Sequence, residues 1–273
     1  VVRQEMDSGI LFNAHRLRLQ IESGVAQRPR FKFDGMSDVR QINAYDMQEY
    51  IEAAFDQYGE DNVGIITRSN KRAQAYNQQI RHRILWREES LEAGDRLMVV
   101  KNNYYWLAAA DTVPTSLLAN GDVVIVSKVI KQFERYGVQF ARIEVGFADA
   151  PSWGVFEVTV NLGILESDLP SVPYADVQIL QEAIAEDYIH LGSKSAIRKA
   201  VKGDECFQAL QVKFAWSITC HKAQGGQWKS VIIDPGYVAE ETLNIEWLRW
   251  LYTAFTRAQT ELALVNFSDD FFE

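Results

Sequence analysis

The sequence predicts an α/β protein in which a parallel sheet is interrupted along the chain by a small all-β insertion. Three observations carry that expectation. Compact apolar runs at residues 62–67, 211–217, 231–234 and 262–266 alternate with amphipathic helical stretches, the pattern of strands buried on both faces. Residues 92–165 break instead into short β-rich runs separated by Gly, Asn, Asp and Pro, the pattern of a barrel or sandwich. Finally, the run that includes Phe214 stops at a cluster of hydroxyl, imidazole, ammonium, amide and paired glycines before the next apolar run begins. A polar loop at the carboxyl end of a strand is where open α/β sheets bind ligands.

Each element follows from local pattern. Ile10, Leu11, Ala14, Leu17 and Ile21 recur at helical spacing, and Asp7 or Ser8 precedes them as a cap. Gly24, Pro29 and several charges mark a loop leading to a short strand near residues 31–33. An amphipathic helix over 46–58 stops at Gly59. The strand at 62–67 passes through a polar turn into a helix over 71–85, half of a βαβ unit. Strands of the insertion fall at 96–100, 123–129, 139–145 and 154–160. Residues 174–201 read as a helical pair broken at Gly192-Ser193, its acidic part (Glu182, Glu186, Asp187) giving way to Lys194, Arg198, Lys199 and Lys202. A helix over 244–257 leads into the last strand. The expected division is a discontinuous sheet domain at 1–88 and 205–273, an inserted barrel at 89–170 and a helical connector at 171–204.

A chain of 273 residues with 47% hydrophobic and 24% charged residues can bury a sizeable core. Two cysteines, Cys206 and Cys220, argue against a disulfide framework and fit a reducing, cytoplasmic setting. No apolar run reaches the length of a membrane helix, so no membrane partner is expected. The net charge of −9 weighs against a broad basic footprint for nucleic acid, leaving local fields to do any such binding. Arg68, Lys71, Arg72, Arg81, His82, Arg83 and Arg87 form a basic stretch, most of which reads as a solvated helix face.

Two motifs carry the chemistry. Thr219, His221, Lys222, Gln224 and Gly225 resemble the T-x-H-K-x-Q-G signature of superfamily-one helicases of the RecD and Dda kind. Tyr252, Thr253, Ala254, Thr256, Arg257 and Ala258 are similar to the Y-T-A-x-T-R-A motif that follows it in those enzymes. At the start, Val2-Arg3-Gln4 resembles the V-x-R-Q segment that opens their second motor domain, and Thr67-Arg68-Ser69-Asn70 their T-R-x-N stretch. Residues 91–102 and 120–126 resemble segments of the SH3-like barrel inserted in that domain.

The resemblance implies a RecA-like motor domain of the phosphate-loop NTPase type, lacking that loop, with an SH3-like barrel inserted. It implies Arg257 as an arginine finger and Arg3 as a γ-phosphate contact, with Gln4, Gly225, Gly226 and Gln227 at the nucleotide. An arginine supplied across a domain cleft neutralises charge as phosphoryl transfer proceeds. Where relatives carry Glu, Gln227 accepts a ribose hydroxyl without charge. Thr67, Asn70, Thr219, His221 and Lys222 are implied as contacts to single-stranded DNA, hydroxyl and ammonium groups suiting a sequence-blind phosphate target.

Other roles stand beside these. Arg257 also fits a helix end, where a cation neutralises carbonyls. Ser69 and Asn70 fit a helix cap, and Lys222 fits a solvated lysine. His221 lacks neighbours at metal-ligand spacing, so no metal site is expected. Tyr104, Tyr105 and Trp106 fit either a stacking surface or barrel packing.

No G-x-x-x-x-G-K-[ST] loop occurs in the chain. ATP and Mg are therefore expected only in a longer protein, bound mainly by an N-terminal motor domain of the same polypeptide. The chain, which starts without Met, is expected to be a fragment, inactive alone, of a 5′ to 3′ DNA helicase, with repair-complex proteins as further partners. The alternative is a non-catalytic module that binds DNA or a partner.

Overall fold

The computed structural model describes residues 8–108 and 113–273, and the chain divides into two compact units: residues up to Leu85 together with Trp216–Glu273, and Trp86–Ala215. In chain order the strands are β1 Val39–Ile42, β2 Val63–Thr67, β3 Arg96–Val99, β4 Val123–Arg135, β5 Val138–Phe147, β6 Val155–Asn161, β7 Val212–Phe214, β8 Ser217–Thr219, β9 Trp228–Asp234 and β10 Ala258–Val265. The helices are α1 Gly9–Glu22, α2 Met47–Tyr58, α3 Asn70–Gln79, α4 Leu162–Glu166, α5 Tyr174–Asp187, α6 Lys194–Gly203 and α7 Ile245–Phe255.

The first unit holds a five-stranded parallel sheet in the order β1-β10-β9-β2-β8. Every residue of β2 is buried, as is the run from Ser230 to Asp234 in β9, which is why these strands read as continuous apolar runs. Register places Thr67 opposite both Thr219 and Asp234 at the carboxyl edge. Trp228 lies opposite Ala258 at the amino edge.

Sequence chemistry explains the helix ends. Ser8 caps α1 by accepting from the Leu11 amide at 3.3 Å, and Asp38 accepts from the Gly9 amide at 2.7 Å. Fully buried Asn13 donates to the Gly9 and Lys32 carbonyls and accepts from the Lys32 amide, tying α1 to the following loop. Ser69 caps α3, which widens into one π-helical turn at Ile80–Ile84.

In the second unit, β6-β5-β4-β3-β7 form an antiparallel sheet. Leu210 also bridges to β6: its amide donates to Thr159 at 2.8 Å and its carbonyl accepts from Asn161 at 3.0 Å. The two edges of the sheet are thereby linked. The hairpin of β4 and β5 turns at Tyr136-Gly137, both at positive φ, as a two-residue turn of the primed kind requires.

Several expectations change. The run at 211–217 is two strands, β7 on the antiparallel sheet and β8 on the parallel one, because the chain passes between units at Ala215–Trp216. Edge strand β1 escaped the sequence reading, its charged Arg40 and polar Gln41 masking the apolar ends. Near residues 31–33 there is a single bridge, Phe31 to Phe272, instead of a strand. The helical pair α5 and α6 belongs to the second unit: Ile184 and Val201 bury against Phe140 and Cys206.

Candidate functional site

The turn after β8 begins at the carboxyl edge of the parallel sheet and reaches the amino edge at Trp228, so its two ends deliver different groups to opposite edges. At the carboxyl edge, Thr219 is half-buried and His221 and Gln224 are exposed. With Arg68, Arg249 and Trp250 they line a cleft of about 420 Å³. The Thr219 carbonyl accepts from the amides of Lys222 at 2.9 Å and Ala223 at 3.1 Å, which fixes the turn. Lys222 is half-buried, and that burial lowers its ammonium pKa, so the solvated-lysine alternative does not describe it.

Thr67 reaches this edge only through its backbone. Its side chain is fully buried and its hydroxyl donates to the Ser69 carbonyl at 3.2 Å. The exposed residue of that segment is Arg68, which the motif reading passed over although it stands in the same four residues. Ser69 caps α3 and Asn70 is the first residue of the helix.

At the amino edge the two motifs meet. Arg257 lies two residues beyond α7, donating from Nε to the Thr253 carbonyl at 3.0 Å, from Nη1 to the Gly226 carbonyl at 3.2 Å and from Nη2 to the Thr256 hydroxyl at 3.0 Å. The Trp228 amide returns a bond to the Arg257 carbonyl at 3.0 Å. The arginine thus neutralises helix-end and loop carbonyls as a helix-end cation does. Three of the five N–H donors of a guanidinium are used in these bonds, leaving two.

The paired glycines differ. Gly225 sits at φ +86° with nothing within 4 Å of where a Cβ would stand, so the backbone there is open to close approach. At Gly226 a Cβ would stand 2.6 Å from the Trp228 ring, and this glycine is demanded by packing. Gln227 is exposed and accepts from Gln259 at 3.1 Å. Arg3 and Gln4 lie outside the described residues.

A buried carboxylate that sequence reasoning missed organises the carboxyl edge. Fully buried Asp234, at the end of β9, accepts from Arg72 Nε at 2.7 Å, the Gly236 amide at 2.8 Å, Asn266 Nδ2 at 2.9 Å and the Tyr76 hydroxyl. Burial first, and the Asp234 charge second, push the Tyr76 hydroxyl pKa up. An acid closing an apolar strand was the available signal.

Among the described residues no three His, Cys, Asp or Glu side chains gather to hold a metal, and no helix is long and apolar enough to cross a membrane.

Residues 214–265 match the family model of the UvrD-like helicase C-terminal domain. That span holds β8, the polar turn, β9, α7 and β10, and both motifs lie within it. No curated protein matches the chain. Among solved structures, the Pif1 helicase from Bacteroides in complex with ADP-AlF3 and ssDNA is similar at 13% identity and a TM-score of 0.44, covering 96% of this chain and 51% of that one. The Pif1 helicase from Candida albicans is similar at 13% identity and 0.39, covering 77% and 46%. The chain spans about half the length of these structures, and such scores are too low to support comparison residue by residue.

Proposed function

We propose that this chain is the second motor domain of an ATP-dependent, superfamily-one DNA helicase of the RecD and Dda kind, with the antiparallel unit as its SH3-like insertion. The observation that carries the reading is the hydrogen-bonded corner in which Arg257 and Gly226, 31 residues apart, bring the two helicase motifs together.

The corner fits a nucleotide supplied by a neighbouring domain. Arg257 keeps two N–H donors toward an anion, Gly225 leaves its backbone open, and Gln227 offers an uncharged acceptor to a ribose hydroxyl. Arg3 and Gln4 belong to the same proposed set. ATP with Mg, held mainly by an N-terminal motor domain, supplies the driving reaction when bound. This chain's part is to place a fixed positive charge at that cleft and to grip the strand at the opposite edge.

At that edge, Thr219, His221, Lys222 and Asn70 are the proposed contacts to single-stranded DNA, with Arg68 in place of the buried Thr67. The reading includes 5′ to 3′ movement and repair-complex partners, which rest on the family resemblance, and a cytoplasmic setting, which rests on the cysteine usage. Alone, the chain lacks a phosphate-loop lysine and is inactive.

The test restores the upstream reading frame and measures ATP hydrolysis with and without single-stranded DNA. The expected result is DNA-stimulated turnover in the longer protein, silence in this chain, and loss of turnover with retained DNA binding in Arg257→Ala. Hydrolysis surviving in Arg257→Ala would remove the finger role. Silence in the restored protein would leave a binding module.

A further inference from the structure

Helix α6 in the second unit carries Lys194, Arg198, Lys199 and Lys202 and no acidic residue, in a chain whose net charge is −9. All four are exposed, while Val201 is buried and Ile197 packs toward the hairpin. Lys194, Arg198 and Lys202 succeed one another at i, i+4 and i+8, about 6 Å apart along the axis, and form a single stripe.

The stripe is electrostatically uncompensated. Of the acids flanking it in sequence, Asp187 is held by Arg135 and Tyr136, Asp204 by the Tyr188 hydroxyl and the Cys206 amide, and Glu205 by Arg142. Among the described residues none of the four cations forms an ion pair, including with Glu182 or Glu186 of α5. Only Lys202, in the last turn, complements the helix dipole; Lys194 sits at the first helical position, and the first turn has no acid to offset it.

An aromatic group adjoins the stripe. The Tyr105 hydroxyl donates to the carbonyl of Gly203, the last residue of α6, at 2.9 Å, and Trp106 Nε1 donates to the Gln208 carbonyl at 2.8 Å. These two are packing residues. Tyr104, the residue before Tyr105 in the chain, is left 65% exposed.

We infer that α6 and Tyr104 form a second contact for single-stranded nucleic acid, the stripe engaging successive phosphates and Tyr104 stacking on an unpaired base. It extends the reading of the chain as part of a DNA motor and rests on it. Charge complementarity selects a phosphate backbone, and an exposed ring with no ring partner among the described residues suits a single strand better than a duplex, whose bases are already stacked.

The test uses the full 273-residue chain, a fluorescein-labelled dT20 and anisotropy titrations across a salt series. Compared are the chain, Lys194→Gln/Arg198→Gln/Lys202→Gln, Tyr104→Ala, and a control of equal charge loss, Arg18→Gln/Lys128→Gln/Lys229→Gln. Circular dichroism melting checks that each folds. The stripe variant is expected to lower the slope of log K against log salt by about 2, three contacts at roughly 0.7 each. Tyr104→Ala is expected to weaken binding about tenfold with the slope unchanged, since stacking releases no counterions.

A slope unchanged in the stripe variant, or lowered equally by the control, overturns the inference alone. Absence of any DNA binding by the unaltered chain overturns it together with the function proposed above. Loss of binding to phosphatidylserine vesicles in the stripe variant, with dT20 binding intact, would assign the stripe to a membrane surface and overturn it too.

Discussion

Gly226→Ala separates a packing role from a ligand role. The added methyl would stand 2.6 Å from Cη2 of Trp228 and 3.1 Å from Cζ3, well inside normal contact. The indole cannot retreat, because its other end lies against β2, where a Cβ on Gly64 would meet Trp228 Cδ2 at 2.7 Å. The ring is held between two glycines, so relief requires the turn itself to move by most of an ångström. Overpacking of this kind costs about 1–3 kcal/mol, and a ring fixed on both sides puts the expectation near the top of that range, about 2–3 kcal/mol. Urea unfolding of the chain, Gly226→Ala, Trp228→Leu and the double variant measures it. Trp228→Leu removes the clash, so the double variant should be more stable than the sum of the two single losses predicts, by about 1 kcal/mol or more. Additive losses, or a Gly226→Ala chain within about 0.5 kcal/mol of the parent, would refute the account.

Further expectations rest on other groups. Asp234→Ala strands Arg72, Tyr76 and Asn266; with Arg72 38% exposed and able to rehydrate, the loss should fall near the lower end of that for a broken buried pair, about 3 kcal/mol in urea melts, and less in Asp234→Asn. Burial pushes the thiol of Cys206 up to about 11 and that of Cys220 up to about 12, so at pH 8 neither should react with a disulfide reagent until the chain is unfolded, when both should. A fast-reacting native thiol would contradict that. Burial lowers the Lys222 pKa below its ordinary 10.5, so the unfolded chain binds this proton more tightly and stability should rise as pH climbs toward 10.5. Measured against Lys222→Met, a rise of the same size in both chains would rule out this lysine as its source.

How much was legible in the residues alone depended on whether the signal was local. The strands β2, β9 and β10, the caps at Ser8 and Ser69 and the break before Ser193 arise from side chains acting on their own backbone or from unbroken apolar runs, and the sequence determined them. The two helicase motifs were legible for the same reason, as short contiguous strings read directly off the chain, whether their residues are exposed, like His221, or buried, like Ala254. The structure alone decided what depends on neighbours distant in the chain. Residues 211–217 look like one strand because both halves are buried, yet they serve two sheets, and only pairing partners distinguish them. Thr67 matched a motif but pairing with β8 and β9 buried its side chain and left Arg68 outside. At Gly226, which the resemblance puts at the nucleotide, a tryptophan two residues on occupies the missing side chain's place, a constraint no local pattern shows. Composition and periodicity record how each residue meets water and its own backbone; which buried surface it meets is settled only when segments far apart in sequence compete for the same space.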